Sequence, residues 1–388
     1  MAMSTVDLYN LNPVLQVMGA GLAFALLPLT WWVWRHRAAP GGRRLQALTI
    51  LTLFLTFDLI LFGAFTRLTD SGLGCPDWPG CYGSATPMGA QQHIDAAQSA
   101  MPTGPVTHGK AWIEMVHRYL ATGVGVLILS LSVMTWRQRR RDPAHAVSAW
   151  WPTFTLLWVC MQGAFGALTV TMKLFPAIVT LHLLFGIGLL ALLAAQAVRY
   201  EGWQSRVVPS GLRHGLVLAY ALLWVQIALG GWVSTNYAVL ACTGFPSCNG
   251  SWLPTLDWQG FQLWRDLGHT VEGQVLPFVA LTTIHFVHRS AAWLVLAALV
   301  AVGWGLRRVP HMQNLAHALL ALAALQLVTG LSNVVLDWPL VAAVLHTGGA
   351  SALVLVLTWA LCISRSDSVN SSGPLVGERS SFDSRPAA

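Results

Sequence analysis

Apolar runs of about 20 residues, the length at which a helix crosses a bilayer core, recur along the whole chain. Backbone polar groups in lipid must be paired within the chain, so only helices and closed barrels span a membrane. These runs are too long and continuous for barrel strands. The pattern therefore predicts nine transmembrane helices. They cover approximately residues 13–34, 45–66, 112–136, 150–170, 177–199, 212–233, 277–306, 314–336 and 340–363.

The first apolar run lies where a cleaved signal peptide would also lie. Its positive charges follow the run instead of preceding it, and no clear cleavage site comes after it, so a retained helix is predicted. Composition agrees with a membrane protein: 55% of the residues are hydrophobic and 10% are charged, against about a quarter charged in soluble domains. The predicted fold class is an all-α polytopic membrane protein.

The net charge of +7 by itself would suggest a nucleic-acid partner, but the placement of the arginines argues against one. They form four clusters in alternate loops, which the positive-inside rule assigns to the cytoplasm. The N-terminus is then periplasmic and the C-terminus cytoplasmic, in the inner membrane of a bacterium, and the surrounding partner is lipid. The clusters are Arg35, Arg37, Arg43 and Arg44; Arg137, Arg139, Arg140 and Arg141; Arg199, Arg206 and Arg213; and Arg307 and Arg308.

The chain contains an internal repeat. A shift of 167 residues aligns FDLILFGAFTRLTDSGLGCPDWPGCYGS with WVQIALGGWVSTNYAVLACTGFPSCNGS without a gap, so a span followed by an outer Cys-x5-Cys loop occurs twice. Each copy has four spans, an even number, and the copies therefore share one orientation about an axis along the membrane normal. Three further matches pair IEMVHR (113–118) with IHFVHR (284–289), CMQGAFGALT (160–169) with ALQLVTGLSN (324–333), and VTLHLLFG (179–186) with AVLHTGGA (343–350).

The repeat predicts two tandem four-helix bundles in parallel orientation plus one extra N-terminal transmembrane helix. Residues 1–44 hold the extra helix and a cytoplasmic loop, residues 45–205 the first bundle, and residues 206–363 the second. Residues 364–388 are rich in Ser, Gly and Pro, a composition that predicts a disordered cytoplasmic tail.

Four of the thirteen histidines lie inside predicted spans at matching depths, on the second and fourth helix of each repeat: His117, His182, His288 and His346. Each is within about two turns of the outer end of its span, or roughly 8–15 Å deep at 1.5 Å per residue. A lone histidine there could be a satisfied core residue. Two matched pairs instead indicate ligands, because polar groups inside a membrane are costly and mark functional sites.

Two histidines on facing helices of a four-helix bundle are typical of haem ligation. A tetrahedral zinc or a copper site usually needs more nitrogen or sulfur ligands than one pair supplies. Two bundles therefore predict two haem sites.

The two predicted sites differ in one titratable residue. Glu114 lies one turn before His117, whereas His285 occupies the matching place before His288. Residues three apart lie on nearly one helix face, so a carboxylate accompanies only the first site. Glu114 could merely bond a backbone group or lie in headgroup water; the asymmetry favours one catalytic and one supporting site.

Three arginines lie close to these histidines or to the outer surface: Arg67, Arg118 and Arg289. Arginine pairs bidentately with carboxylates such as haem propionates. Snorkelling of the side chain to the interface explains the same positions equally well.

The outer loops carry the pairs Cys75–Cys81 and Cys242–Cys248. The spacing is not that of a zinc finger, and the oxidising outer compartment favours a disulfide within each pair. These disulfides are expected to shape the mouth of each haem site. A redox-active Cys75–Cys81 bond is a further hypothesis, since labile disulfides are the exposed or strained ones.

The segments GAFTRLTDSGLGCPDWPGC, EMVHR, LHLLFG and LHTGGA resemble the haem A synthase family, over about residues 45–363. The resemblance implies an oxidoreductase that converts a methyl group of haem O to the formyl group of haem A by successive hydroxylations, for terminal oxidases. It implies that His288 and His346 ligate a haem b cofactor, that His117 and His182 face the substrate iron, and that Glu114 is catalytic. It further implies haem O synthase and terminal oxidase assembly proteins as partners. The extra first helix departs from the family's eight-span pattern.

A di-haem b cytochrome in quinol-linked electron transfer is the main alternative. It explains the histidines equally well, but it explains neither Glu114 nor the cysteine loops. A repeat-based transporter lacks matching broken helices at the midplane, and a thiol–disulfide oxidoreductase leaves the histidines unused.

Overall fold

A computed structural model describes residues 12–143, 148–201 and 205–366. Within these ranges nine helices are long and apolar enough to cross a membrane, which confirms the nine predicted spans and the all-α class. They are α1 (Asn12–Arg35), α2 (Gly41–Leu68), α4 (His108–Arg141), α5 (Trp150–Thr171), α6 (Pro176–Glu201), α7 (Ser210–Thr235), α8 (Phe278–Leu306), α9 (Gln313–Val335) and α10 (Leu340–Ile363).

The structure adds short elements that the apolar pattern does not indicate. Helix α3 (Gln91–Ala100) and a 3₁₀ turn (Trp258–Phe261) lie in the two loops that carry the cysteine pairs. Strand β1 (Arg206–Val208) pairs in parallel with β2 (Ser364–Ser366). Ser364–Ser366 were expected to begin a disordered tail; they form β2 instead, because the segment before α7 offers backbone partners that the local sequence does not reveal. The remaining predicted tail, 367–388, lies outside the described residues.

The helix contacts form two rings of four. In the first, α2 packs on α4, α4 on α5, α5 on α6 and α6 on α2; in the second, α7, α8, α9 and α10 contact one another in the same cyclic way. Helices α4 and α6 are therefore diagonal partners across the first ring, as α8 and α10 are across the second. This geometry places side chains from α4 and α6, or from α8 and α10, opposite each other inside their own ring.

Three helix contacts join the rings: α6 packs on α10, α6 on α7, and α10 on α2. At the end of this junction next to the cysteine loops, residues that match under the repeat touch each other. The Arg67 guanidinium donates to the Ser234 carbonyl at 2.6 Å, and the Tyr237 hydroxyl donates to Asp70 at 2.6 Å. Both pairs are separated by the repeat offset of 167 residues, so this contact lies at the axis that relates the two halves.

Helix α1 packs along α4, the helix that carries Glu114 and His117. The approach is close at Gly21, where an added Cβ would lie 2.4 Å from the Thr122 side chain. The rings of Phe24 and Tyr119 stack at 6.2 Å between centroids. The extra helix thus covers the α4 side of the first ring, on the surface that faces away from the ring interior.

Candidate active site

Each of the four predicted histidine ligands lies against a glycine of a neighbouring helix. A Cβ added at Gly63 would lie 3.0 Å from His117 Cε1, and one at Gly230 would lie 2.9 Å from His288 Cε1. The matching distances at Gly166 and Gly330, to His182 and His346, are both 3.2 Å. These four helix positions lack a side chain where an imidazole needs the space.

The histidines of each half come from diagonal helices and point into one ring. His117 lies on α4 and His182 on α6, and His288 lies on α8 and His346 on α10; each imidazole contacts a glycine on an adjacent helix of its ring. Two imidazoles that face each other across a four-helix bundle form the arrangement that holds a haem edge-on. Within the described residues, no group of three or more His, Cys, Asp or Glu side chains gathers as a metal cluster.

Glutamine side chains anchor the backbone next to three of these histidines. Gln162 donates to the carbonyl of His182 at 3.0 Å, and Gln326 donates to that of His346 at 2.9 Å. These two glutamines match under the repeat. Gln226 donates to the carbonyl of His288 at 3.1 Å, whereas the matching position near His117 is Leu59.

The Nδ1 atoms distinguish the two halves. In the second half, His346 Nδ1 lies 2.9 Å from the Thr329 hydroxyl, and His288 Nδ1 lies 3.1 Å from the amide of Gln226. In the first half, the Nδ1 atoms of His117 and His182 are buried without a hydrogen-bond partner in the described part of the chain. The repeat alignment places Phe165 where Thr329 lies.

Glu114 is the one buried residue among the acidic side chains that the structure describes, with 4% of its surface exposed. Its Oε2 accepts a hydrogen bond of 2.7 Å from the backbone N–H of Cys75, and its Oε1 accepts from Arg118 one turn further along α4. Glu114 therefore does bond a backbone group, as the alternative structural interpretation of this residue predicts. The carboxylate is also fixed by a charged partner, one turn before His117, so its position next to the first site is well defined.

Arg118 and Arg289 hold the cysteine loops. Arg118 donates to the carbonyls of Asp77, Pro79 and Gly80 at 2.6–3.2 Å. Arg289 donates to the carbonyls of Cys242 at 3.0 Å and of Gly244 at 2.9 Å; within the described residues, no carboxylate pairs with it. Propionate binding by these arginines stays a prediction, and their guanidinium groups already have loop partners.

Arg67 lies at the junction of the halves. Besides its bond to Ser234, its guanidinium stacks over the Tyr237 ring at 4.2 Å from the centroid. Burial raises the pKa of Tyr237, which keeps the phenol protonated as the donor to Asp70. A propionate-binding role for Arg67 also stays a prediction.

The predicted disulfides Cys75–Cys81 and Cys242–Cys248 are present, with Cα–Cα distances of 4.8 and 4.9 Å. All four cysteines are buried. In each loop the second cysteine exchanges two backbone hydrogen bonds with the serine three residues later. The turn between them has positive φ at both central residues, Tyr82 and Gly83 in the first loop (47° and 72°) and Asn249 and Gly250 in the second (52° and 80°). Burial limits thiol access, so a redox role for the first disulfide stays a hypothesis.

Sequence reasoning located the histidines, Glu114 and the disulfides, but it assigned no site role to the glycines or to Gln226 and Thr329. The repeat alignment contained a signal for both groups. Glycine opposes glycine at 63/230 and at 166/330, whereas leucine opposes glutamine at 59/226 and phenylalanine opposes threonine at 165/329. The matching glycine pairs indicate that both halves need room for an imidazole at these positions. The unlike pairs indicate that the halves differ in the groups beside the histidines.

Comparison with known proteins gives a consistent result. Residues 46–358 match the model of a family described as Cytochrome oxidase assembly protein (COX15-CtaA). A protein of Shewanella oneidensis named Heme A synthase is 39% identical over 311 residues, which are 79% of this chain and 92% of that protein. Proteins with the same name from Halalkalibacterium halodurans and Paracoccus denitrificans are 28% and 27% identical over 82% and 83% of this chain, and the matches cover 95% and 87% of their own lengths. Helix α1 precedes the region of the family match.

Proposed function

This chain belongs to the cytochrome oxidase assembly protein family COX15-CtaA, and on that premise we propose that it is a haem A synthase that oxidises a methyl group of haem O to a formyl group. The name shared by relatives that align over most of this chain supports this activity over a di-haem electron-transfer cytochrome. The nine spans make it a multi-pass membrane protein. The structural observation that supports the proposal most directly is that two matched histidine pairs are present and a buried carboxylate lies beside only one of them.

The net conversion is a four-electron oxidation, with the half-reaction R–CH₃ + H₂O → R–CHO + 4 H⁺ + 4 e⁻. The electrons would leave one at a time to a one-electron acceptor, the chemistry that a haem in the second site would supply. Written as successive hydroxylations, the methyl carbon passes through an alcohol and a hydrated aldehyde, which loses water. Positive charge develops at the carbon as electrons leave it. A fixed negative group next to that carbon would stabilise the transition state.

Glu114 supplies that group in the proposed mechanism. Its carboxylate is held by the Cys75 N–H and by Arg118, so it need not reorganise as charge develops. His117 and His182 would orient the substrate haem so that one edge faces the outer side, where Glu114 lies one turn before His117.

His288 and His346 are proposed to hold haem b. The close approach of His288 to Gly230 and of His346 to Gly330, together with the polar partners of both Nδ1 atoms, fits a site in which these two imidazoles would hold a haem. When bound, this haem supplies one-electron redox chemistry near the substrate site. The chain's own residues fix the two imidazoles: Gln226 contacts His288, and Thr329 and Gln326 contact His346.

The arginine clusters support a periplasmic N-terminus and a cytoplasmic C-terminus. Both disulfide loops then lie over the haem sites on the oxidising side. Haem O synthase, the enzyme class that must supply the substrate, and terminal oxidase assembly proteins, which consume the product, are the proposed partners.

The test is a haem assay on cells that make haem O, with this gene deleted and then restored. We expect haem O alone without the gene, and haem A when it is restored. The purified chain should carry protein-bound haem. A haem-free protein, or restored cells without haem A, would overturn the proposal.

A further inference from the structure

The Nδ1 atoms of the four histidines have hydrogen-bond partners in the second half and none among the described residues of the first half. The presence of a histidine pair in both halves does not explain this difference. We propose that Thr329 and Gln226 are positioning residues that make the second haem site permanent, and that Phe165 and Leu59 keep the first site exchangeable. This inference rests on the proposed function, since a synthase must retain its cofactor and release its product.

The contact of Thr329 defines the tautomer of His346. The Thr329 hydroxyl donates to the Leu325 carbonyl at 2.7 Å, so its oxygen is left to accept from His346 Nδ1–H at 2.9 Å. A proton on Nδ1 leaves Nε2 with the lone pair that binds iron. Thr329 is buried, with 4% of its surface exposed, and water does not compete strongly for this bond.

Gln226 contributes at His288. Its amide nitrogen contacts both the carbonyl and Nδ1 of His288 at 3.1 Å, while its Oε1 is buried without a partner in the described part of the chain. Gln226 thereby fixes the backbone and the ring of His288 relative to each other.

The first site offers neither partner. The Nδ1 atoms of His117 and His182 have none among the described residues, and the matching positions carry the hydrocarbon side chains of Leu59 and Phe165. A ligating histidine whose other ring nitrogen bonds an acceptor is better oriented and more basic, and loss of that partner typically costs about 10–100-fold in metal affinity. The same fold thereby gives one tight and one weak haem site.

The experiment compares Thr329→Val, Thr329→Ser and Phe165→Val in the full chain, purified with its haem. Valine removes the hydroxyl at similar volume. We expect Thr329→Val to lose haem b on dilution about 10–100-fold more readily, and the haem that remains to have a more positive midpoint potential, since a less basic imidazole stabilises ferric iron less. Thr329→Ser keeps the hydroxyl and should keep the wild-type haem retention and midpoint potential. Phe165→Val should leave the retained haem b unchanged.

The reverse exchange, Phe165→Thr, tests the same idea by gain. The added hydroxyl should increase the haem retained in the first site, so that purified protein carries more haem per chain than the wild type. Unchanged retention and potential in Thr329→Val, together with unchanged haem content in Phe165→Thr, would overturn the inference while haem A formation by the wild type still upholds the synthase. Absence of haem A from wild-type cells would overturn the synthase itself.

Discussion

The two halves of this protein have the same framework and different surroundings for their histidines. Both place imidazoles from diagonal helices against glycines, and in both an arginine holds a loop that contains a buried disulfide. They differ beside the histidines: the first half has Glu114, Leu59 and Phe165, where the second has His285, Gln226 and Thr329. In the proposed function, the shared framework provides the two haem sites, and these few side chains distinguish the catalytic site from the cofactor site.

Replacing the axial histidines should give the largest effect and separates the two sites. We expect His288→Ala or His346→Ala to lower the haem b content of the purified protein strongly, because either change removes one of the two proposed iron ligands. His117→Ala should keep haem b and lose haem A formation. Absorption spectra and extracted haems measure both; equal loss of haem b from His117→Ala would contradict the division of roles.

Glu114→Gln should leave haem b in place and lower haem A formation by roughly 10²-fold or more, the usual effect of losing a group that stabilises transition-state charge. Glutamine can still accept from the Cys75 N–H, so the loop should stay in place. The matched control is His285→Gln in the second half, which should retain most of the activity. Chromatography of extracted haems gives the ratio of haem A to haem O for each variant, and near-wild-type ratios in Glu114→Gln would exclude the catalytic role.

The glycine contacts predict a smaller, graded effect. An alanine at Gly230 would put its Cβ 2.9 Å from His288 Cε1, so the imidazole must turn and haem occupancy should fall. Gly163→Ala on α5 is the control, because nothing lies within 4 Å of an added Cβ there. Gly166→Ala on the same helix, at 3.2 Å from His182, should impair the first site only. Haem content per chain and the position of the Soret band report the change.

Removing either disulfide should lower stability by a similar amount in the two halves. The effect on haem A formation should be small but different for the two disulfides. Both link residues six apart, so each should contribute about 2 kcal/mol to the free energy of unfolding by loop entropy. Only the first loop donates to Glu114. Cys75→Ala with Cys81→Ala should therefore lower haem A formation more than Cys242→Ala with Cys248→Ala does, at similar loss of thermal stability in detergent. Equal activity in the two double variants would show that the loop does not position Glu114.

Much of this architecture could be predicted from the sequence. The length of the apolar runs determined the nine spans, because bilayer thickness admits only helices of that length. The repeat placed His117, His182, His288 and His346 at equivalent positions and gave each cysteine pair a twin. It did not indicate β1 and β2, since three-residue strands carry too little pattern to be recognised.

Only the tertiary structure decided the partners of these residues. Thr329 precedes His346 by 17 residues and Gln226 precedes His288 by 62, on different helices from those histidines, and a hydrogen bond between them depends on how each helix is rotated in its ring. In the same way the backbone of Cys75 reaches Glu114 across 39 residues. The sequence by itself determined which chemical groups lie at which depth in the membrane. Helix packing decided which of them touch, because hydrogen bonds act over about 3 Å whereas apolar patterning specifies position only to within about a helical turn.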